Sequence, residues 1–154
     1  MKRAVVLAFV TVALLNIVFA QTTTHKAGNQ ATSAQQAAPK VSLNPYSLDF
    51  GDQVAKKASK PQRITLTNTG SSKLYINSVV ISGDHKDDFS ITHDTCTGAT
   101  IKANKSCVMD VIFAPRVSER RKANLEITDN AIDSPQKVTL TGNGINSVDV
   151  PPRK

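Results

Sequence analysis

Apolar and polar residues alternate one by one through the segment RITLTNTGSSKLYINSVVISG, Arg63 to Gly83. Ile64 and Leu66 share one face of an extended chain, and Leu74 and Ile76 repeat the pattern after the turn Asn-Thr-Gly-Ser-Ser. Side chains with a period of two lie on opposite faces of a strand, whereas an amphipathic helix needs apolar residues three and four apart. The segment therefore predicts two half-buried strands around a tight connection.

The same period returns in short runs along the rest of the chain, with turn residues between them. The runs number about seven, recur near every tenth residue and leave no convincing helical segment, which is typical of an all-β, antiparallel sandwich. With 5% aromatic residues and no Trp, the core must consist mainly of Val, Ile and Leu. The apolar phase of the runs predicts these buried residues: Ile64, Leu66, Leu74, Ile76, Phe89, Met109, Val111, Phe113, Leu125, Ile127, Val138 and Leu140.

The first twenty residues, MKRAVVLAFVTVALLNIVFA, have the layout of a secretory signal. Two basic residues precede an apolar run up to Leu15, and small residues stand before a cleavage point between Ala20 and Gln21. We therefore predict a signal peptide at 1–20 and export to the periplasm or the extracellular space. An uncleaved membrane anchor is the alternative, although the apolar stretch is at the short limit for a spanning helix.

Composition divides the remaining chain into three parts. Residues 21–40 contain no Val, Ile, Leu or aromatic residue, so we expect a disordered linker there. The strand-like runs occupy 41–144, and 145–154 is expected to be a flexible tail. Without the two basic residues of the signal, 17 basic residues face 12 acidic ones, a net charge of +5. This modest charge favours solubility over a dedicated nucleic-acid surface.

Cys96 and Cys107 are the only cysteines. An even number of cysteines in an exported chain predicts a disulfide between them. The alternative, a redox-active pair, usually takes the form C-x-x-C at the start of a helix, and neither feature is present.

Residues that could perform chemistry are few. The histidines have no Cys or carboxylate at zinc-ligand spacing: His25, His85 and His93. Several aspartates lie close in sequence but lack the spacing and closing Glu of a calcium loop, which favours a solvated acidic loop: Asp84, Asp87, Asp88 and Asp94. The tripeptide Asp49-Phe50-Gly51 matches a kinase motif, but the accompanying kinase motifs are missing. With no recognisable nucleophile–base pair either, we predict no enzyme, no metal and no cofactor.

Two basic clusters remain, and we expect them to flank different ends of the sandwich. The first is Lys56, Lys57 and Lys60, and the second extends from Arg116 to Lys122. The candidate contact patch consists of Arg116, Arg120, Arg121 and Lys122. A solvated face is the simpler interpretation, and anionic envelope polymers are the alternative partner. A specific nucleic-acid partner is not predicted, because only two tyrosines could stack on bases.

Five segments, in this order, match a known module. They are LNPYSLDFGDQ at 43–53, ITLTNTGSSKLYINSVVISG at 64–83, DFSI at 88–91, CTGATIKANKSCVMDVIFAP at 96–115 and ANLEITDNAIDSPQKVTLTGNG at 123–144. Together they resemble the ASH (abnormal spindle–Hydin) type immunoglobulin-like module of the PapD-like and major-sperm-protein-like sandwiches, which is common in exported bacterial proteins. The resemblance covers 41–144 and departs at 55–60, where AKKASK stands in place of a small, neutral turn.

This resemblance implies an immunoglobulin-like β-sandwich that serves as a non-catalytic scaffold and interaction domain. Large eukaryotic relatives are associated with cilia, centrosomes and microtubules, a destination that the predicted signal peptide argues against. We therefore predict an exported structural or protein-interaction module that binds other proteins through the sandwich surface or a sheet edge. The alternative function is a carbohydrate- or cell-wall-binding module. A membrane would be involved only through an uncleaved signal segment.

Overall fold

The computed structural model describes residues 37–149, and these form nine strands and two short 3-10 helices. The predicted signal peptide at 1–20, most of the predicted linker and the last residues of the predicted tail lie outside the described residues. The strands are β1 (Val41–Asn44), β2 (Ser47–Val54), β3 (Gln62–Asn68), β4 (Leu74–Ser82), β5 (Phe89–Asp94), β6 (Thr100–Ile101), β7 (Ser106–Phe113), β8 (Arg120–Asp129) and β9 (Gln136–Ile145). The 3-10 helices are Lys86–Asp88 and Ser147–Asp149.

Two sheets make up the sandwich, one of four strands in the order β1-β3-β7-β5 and one of five in the order β2-β9-β8-β4-β6. All strand pairs are antiparallel except β2 and β9, which run parallel. The predicted all-β sandwich is confirmed. The strand count exceeds the expected seven partly because Pro45, which has no N–H to donate, separates β1 from β2. β1 then pairs with β3, and β2 pairs with β9 in the other sheet.

The connection between β3 and β4 crosses from one sheet to the other. Ile64 and Leu66 of β3 lie opposite residues of β7, whereas β4 pairs with β8. The two strands predicted from alternation are therefore present, but they do not pair with each other. Alternation reports which face of a strand is buried and carries no information about its neighbour.

All of the residues predicted to be buried are buried, and none is more than 4% exposed. Their side chains fill the space between the sheets together with further buried apolar residues: Leu43, Leu48, Cys96, Ile101, Cys107, Ala123 and Ala131. Phe89 and Phe113 stack with ring centroids 4.8 Å apart, and Phe50 packs at 5.8 Å from Phe113. Gly142 lies against the Phe113 ring so closely that an added Cβ would collide with it.

The cysteines are joined as predicted, with their Cα atoms 5.2 Å apart. The disulfide ties the loop after β5 to β7. Asp94 Oδ1 accepts hydrogen bonds from the Cys96 N–H at 2.7 Å and the Thr97 N–H at 3.1 Å. Burial acts to raise the pKa of Asp94, but these bonds and the Thr97 hydroxyl outweigh burial and hold the pKa below its ordinary value.

Candidate interaction surfaces

The two basic clusters lie at the same end of the sandwich, so the expectation that they flank different ends is wrong. The Lys56 N–H donates to the Pro115 carbonyl at 2.7 Å, and the Ser59 N–H donates to the Phe113 carbonyl at 2.8 Å. The reason is the direction of β2. Because β2 runs parallel to β9, the end of β2 lies near the beginning of β8. We call this surface, formed by residues 55–61, 83–88 and 114–119, the loop end.

Acidic residues of the loop end neutralise part of the second cluster. Arg121 Nε lies 3.3 Å from Asp88 Oδ2, and Arg121 Nη2 lies 3.4 Å from Glu119 Oε2. The side chains of Arg121 and Asp88 are only 11% and 6% exposed. Arg116 Nη1 lies 3.7 Å from Asp87 Oδ2. Of the four residues predicted as a contact patch, Arg116 and Arg121 are thus paired with acidic residues of the same chain.

The four predicted contact residues consequently do not form one patch. Arg121 shares the inward phase of Ala123 and Leu125 on β8, and its neighbours Arg120 and Lys122 are exposed on the opposite, outer face. Arg116 is exposed in the loop that precedes β8. No ion pair within 37–149 includes Lys56, Lys57 or Lys60, whose ammonium groups are left to solvent at the loop end.

Among the described residues, the remaining candidate ligands bond to backbone or to neighbouring cations, or lie at the surface. His25 lies outside the described residues. His85 Nδ1 accepts the Lys122 N–H at 3.1 Å, which fastens the loop after β4 to β8. Lys86, 2.9 Å away, and Arg116 hold the pKa of Asp87 below its usual range. Among residues 37–149, no three His, Cys, Asp or Glu side chains come together to hold a metal ion. The same residues contain no helix that could span a lipid bilayer.

Exposed large apolar side chains are scattered over the described surface. They are Tyr46, Tyr75, Val80, Val117, Ile132 and Val148. Tyr46 precedes β2 and Tyr75 lies on β4, so β9 and β8 separate the two rings within the five-stranded sheet. Two aromatic side chains at that separation form no joint stacking platform for a sugar. Val80 differs from the others because it lies on the part of β4 that β6 does not cover.

The open edge belongs to residues 77–82 of β4, and we call it the β4 edge. β8 pairs with β4 on one side. On the other side, β6 pairs only with Leu74 and Tyr75, and two further backbone bonds end at Ile76. Beyond that residue, no described strand covers β4. The stretch has no charged residue and no Pro, and its one register shift, between Ile76 and Ser78, comes at its start.

The other outer strands carry features that discourage pairing with a further strand. β1 has four residues and ends before Pro45. β2 has a register shift between the charged residues Asp49 and Asp52. β5 has a shift at Ile91/His93 and ends at Asp94. Charges, Pro and bulges at sheet edges are common protection against unwanted strand addition, and the β4 edge lacks them along 78–82.

The β4 edge was not among the sites predicted from the sequence. The available signal was LYINSVVIS, residues 74–82, which contains no charge, Pro or Gly. Such a run predicts a strand, but only the sheet order shows that its far side is open. The Arg121–Asp88 pair was not predicted either. The two residues are far apart in the sequence, and no spacing pattern indicates that they are in contact.

A model of the HYDIN/CFA65/VesB-like, Ig-like domain family matches residues 39–144. Among solved structures, a protein of unknown function from Porphyromonas gingivalis W83 has a TM-score of 0.57 and 19% identity, over 73% of this chain and 51% of that one. The Vibrio cholerae VesB protease has a TM-score of 0.51 and 18% identity, over 67% of this chain and 31% of that one. No protein with a curated description matches the chain in sequence.

The ASH / PapD-like domain 7 of human CEP192 also has a TM-score of 0.51, with 15% identity over 71% of this chain and 88% of that domain. This chain spans about half of the Porphyromonas protein and less than a third of the VesB protease. At identities this low, the structural likeness shows a shared fold and nothing more. At the level of the fold, the predicted resemblance to the ASH and PapD-like group is confirmed.

Proposed function

The chain belongs to the HYDIN/CFA65/VesB-like family of Ig-like domains, and from that premise we propose that it is an exported, non-catalytic module that binds other proteins. Its binding site is the β4 edge, where an extended partner segment adds a strand to the five-stranded sheet. In this mode of recognition the main-chain hydrogen bonds supply affinity, and alternate side chains supply specificity. The observation that carries the proposal is the side of residues 77–82 that no described strand covers.

The chemistry of the β4 edge favours an uncharged, β-branched partner strand. Val80 is 49% exposed on the outer face of the sheet, and Val79 and Ile81 are partly buried against the core. A partner strand would cover apolar surface on both faces while its backbone paired with β4. A charged residue in the middle of that strand would be desolvated beside valines without a counter-charge, which is unfavourable.

Two observations support export. The signal-like leader precedes a domain with a disulfide, and disulfides persist in oxidising compartments.

The absence of a catalytic role is supported by what surrounds the polar side chains. The described histidines and aspartates either bond to backbone and neighbouring cations or lie at the surface. The likeness to the VesB protease extends to 31% of that chain and concerns the fold.

The test is selection of displayed peptides of about six residues, the usual length of a strand, on the full chain expressed for export. We expect enrichment of uncharged, β-branched peptides, and we expect Val80→Lys to abolish it because a lysine would be placed at the centre of the new strand pair. Val117→Lys is the matched control, since Val117 is 46% exposed but lies at the loop end. Equal enrichment by both variants would refute the β4 edge as the site.

A second candidate function, contact with an anionic envelope polymer, is favoured by the position of the basic clusters. Lys56, Lys57 and Lys60 are exposed at the same end as Arg116. A polyanion would gain from all of them at once, and exposed charges are screened by salt. Retention on an immobilised polyanion should therefore fall steeply with ionic strength and be lost in the triple Lys→Glu variant. Retention that is unchanged in that variant would remove this candidate.

A further inference from the structure

The amino-acid sequence of the open part of β4 is nearly palindromic. Around Val80 the sequence is Ser78-Val79-Val80-Ile81-Ser82, with serine at both ends and β-branched residues between. When a strand pairs antiparallel with a copy of itself, each residue meets its mirror position across a two-fold axis. Resting on the proposed function of the β4 edge, we infer that the added strand is β4 of a second copy of this chain, with the axis at Val80.

This register brings like side chains together on both faces of the joined sheet. On the outer face, Val80 meets Val80 of the second copy, and Ser78 meets Ser82. On the inner face, Val79 meets Ile81, and both already pack against the core of their own sandwich. Directly opposite residues have Cβ atoms about 4.5–5.5 Å apart, so the half-exposed Val80 would be covered by its counterpart.

The length of the open stretch fits this pairing. In the same register, Gly83 of the second copy falls opposite Asn77, one residue short of Ile76. The Ile76 N–H already donates to the Ala99 carbonyl at 3.0 Å, and the Ile76 carbonyl accepts the Gly98 N–H at 3.0 Å. At the other end, the chain leaves the strand at Gly83, whose φ of 101° directs it into the loop before β5. A longer foreign strand in this orientation would run into β6.

Charge does not oppose the association. Glu126 of β8 is the register partner of Val80, and its Oε1 lies 3.1 Å from Lys137 Nζ. The two copies of Glu126 would be separated by three strand spacings, about 14 Å. The pairing is closed, because each copy uses its β4 edge once and the other outer strands carry charges, Pro or bulges. A dimer is therefore formed and not a fibre.

The experiment places a single reporter on the proposed axis. Val80→Cys in the full chain, expressed for export, should give a dimer linked through position 80 when treated with a short bis-maleimide. The yield should exceed that of Val117→Cys by about tenfold, because only position 80 lies next to its own copy. Wild-type protein should shift from monomer to dimer in analytical ultracentrifugation between about 1 μM and 1 mM, since one short strand pair forms a small, weak interface.

Val80→Lys should remain monomeric over this range, with the circular dichroism of the wild type as the check on its fold. A wild type that is monomeric throughout, or a dimer in which position 80 links no better than position 117, overturns the inference. Either result leaves the proposed function standing if uncharged peptides still bind the wild type and not Val80→Lys. If peptide binding is absent as well, the function of the edge fails independently.

Discussion

Asn68 organises the end of the sandwich opposite the loop end, through a side chain that is fully buried. Its Nδ2 donates to the Ser72 carbonyl at 2.7 Å and to the Ile101 carbonyl at 2.9 Å. Its Oδ1 accepts the Gly70 N–H at 3.0 Å and the Lys40 N–H at 3.4 Å. One amide thus satisfies the backbone of the β3–β4 crossover, of β6 and of the segment that leads into β1.

Replacing Asn68 should be costly because its buried backbone partners would lose their hydrogen bonds. We expect Asn68→Ala to lower the free energy of unfolding by about 2–4 kcal/mol, measured by urea denaturation. Asn77→Ala is the control, since Asn77 is exposed, and a change within about 0.5 kcal/mol is expected there. Similar losses in the two variants would contradict this role for Asn68.

Asp129 is a buried carboxylate whose desolvation is not fully compensated by hydrogen bonds. Burial is the main cause that raises its pKa, although Oδ1 accepts the Ala131 N–H at 2.8 Å. A carboxyl whose pKa is higher in the folded state stabilises the protein below its unfolded pKa and loses that contribution as pH rises through its folded pKa. The protonated, neutral form of Asp129 therefore stabilises the folded state more than the ionised form does.

Asp129→Asn should raise the melting temperature at neutral pH and bring little gain near pH 3, where the native carboxyl is already protonated. The Asn side chain keeps an oxygen for the Ala131 N–H and carries no charge to desolvate. Asp84→Asn, at an exposed aspartate of the loop end, is the control. A stabilisation that is the same at both pH values would show that the charge of Asp129 is not its cause.

At the scale of elements, β6 is a two-residue strand held in place by a crosslink. The Cys96–Cys107 disulfide closes the loop that contains β6, and β6 in turn covers the beginning of β4. The crosslink therefore helps to determine where the β4 edge begins. Without it, Thr100 and Ile101 would be held mainly by two register pairs with β4 and by the Asn68 amide.

Substituting Ser for both Cys96 and Cys107 should lower the free energy of unfolding by about 2–5 kcal/mol, as expected for removing a native disulfide. Hydrogen exchange should also accelerate at Ile76, whose N–H bonds to Ala99 within the released loop. The amides of β7 that pair with β3 serve as the internal control. Unchanged protection at Ile76 would show that β6 stays in place without the crosslink.

The sequence pattern predicts the buried face of most strands but not their neighbours, for a physical reason. The period of two fixed the buried face of β3, β4, β7, β8 and β9, because a slip by one residue would expose every apolar side chain. It could not reveal that β3 and β4 lie in different sheets. It also could not place Lys56 beside Pro115 or Arg121 beside Asp88, because such contacts depend on strand direction and sheet order.

At the scale of the whole molecule, both sheets share one apolar core. Leu66 of the four-stranded sheet and Leu125 of the five-stranded sheet are each 0% exposed and belong to the same buried cluster. A domain of this size with one core usually unfolds as a unit. A destabilising substitution in either sheet should therefore destabilise the entire sandwich.

Leu66→Ala and Leu125→Ala should each lower the free energy of unfolding by about 2–5 kcal/mol, through lost burial and the cavity left behind. Fluorescence from the tyrosines and far-ultraviolet circular dichroism should report one coincident transition in both variants. Two separated transitions in either variant would mean that the sheets are stabilised independently.

The parallel pairing of β2 with β9 has a mechanical consequence. β2 follows the first described strand, and β9 is the last, so tension on the two ends of the domain pulls these neighbours in opposite directions along their length. Six registered residue pairs, from Ser47–Thr139 to Val54–Ile145, then bear the load side by side in shear. They must yield together and not one after another like a zipper, which makes the sandwich a stiff link between whatever is attached at its two ends.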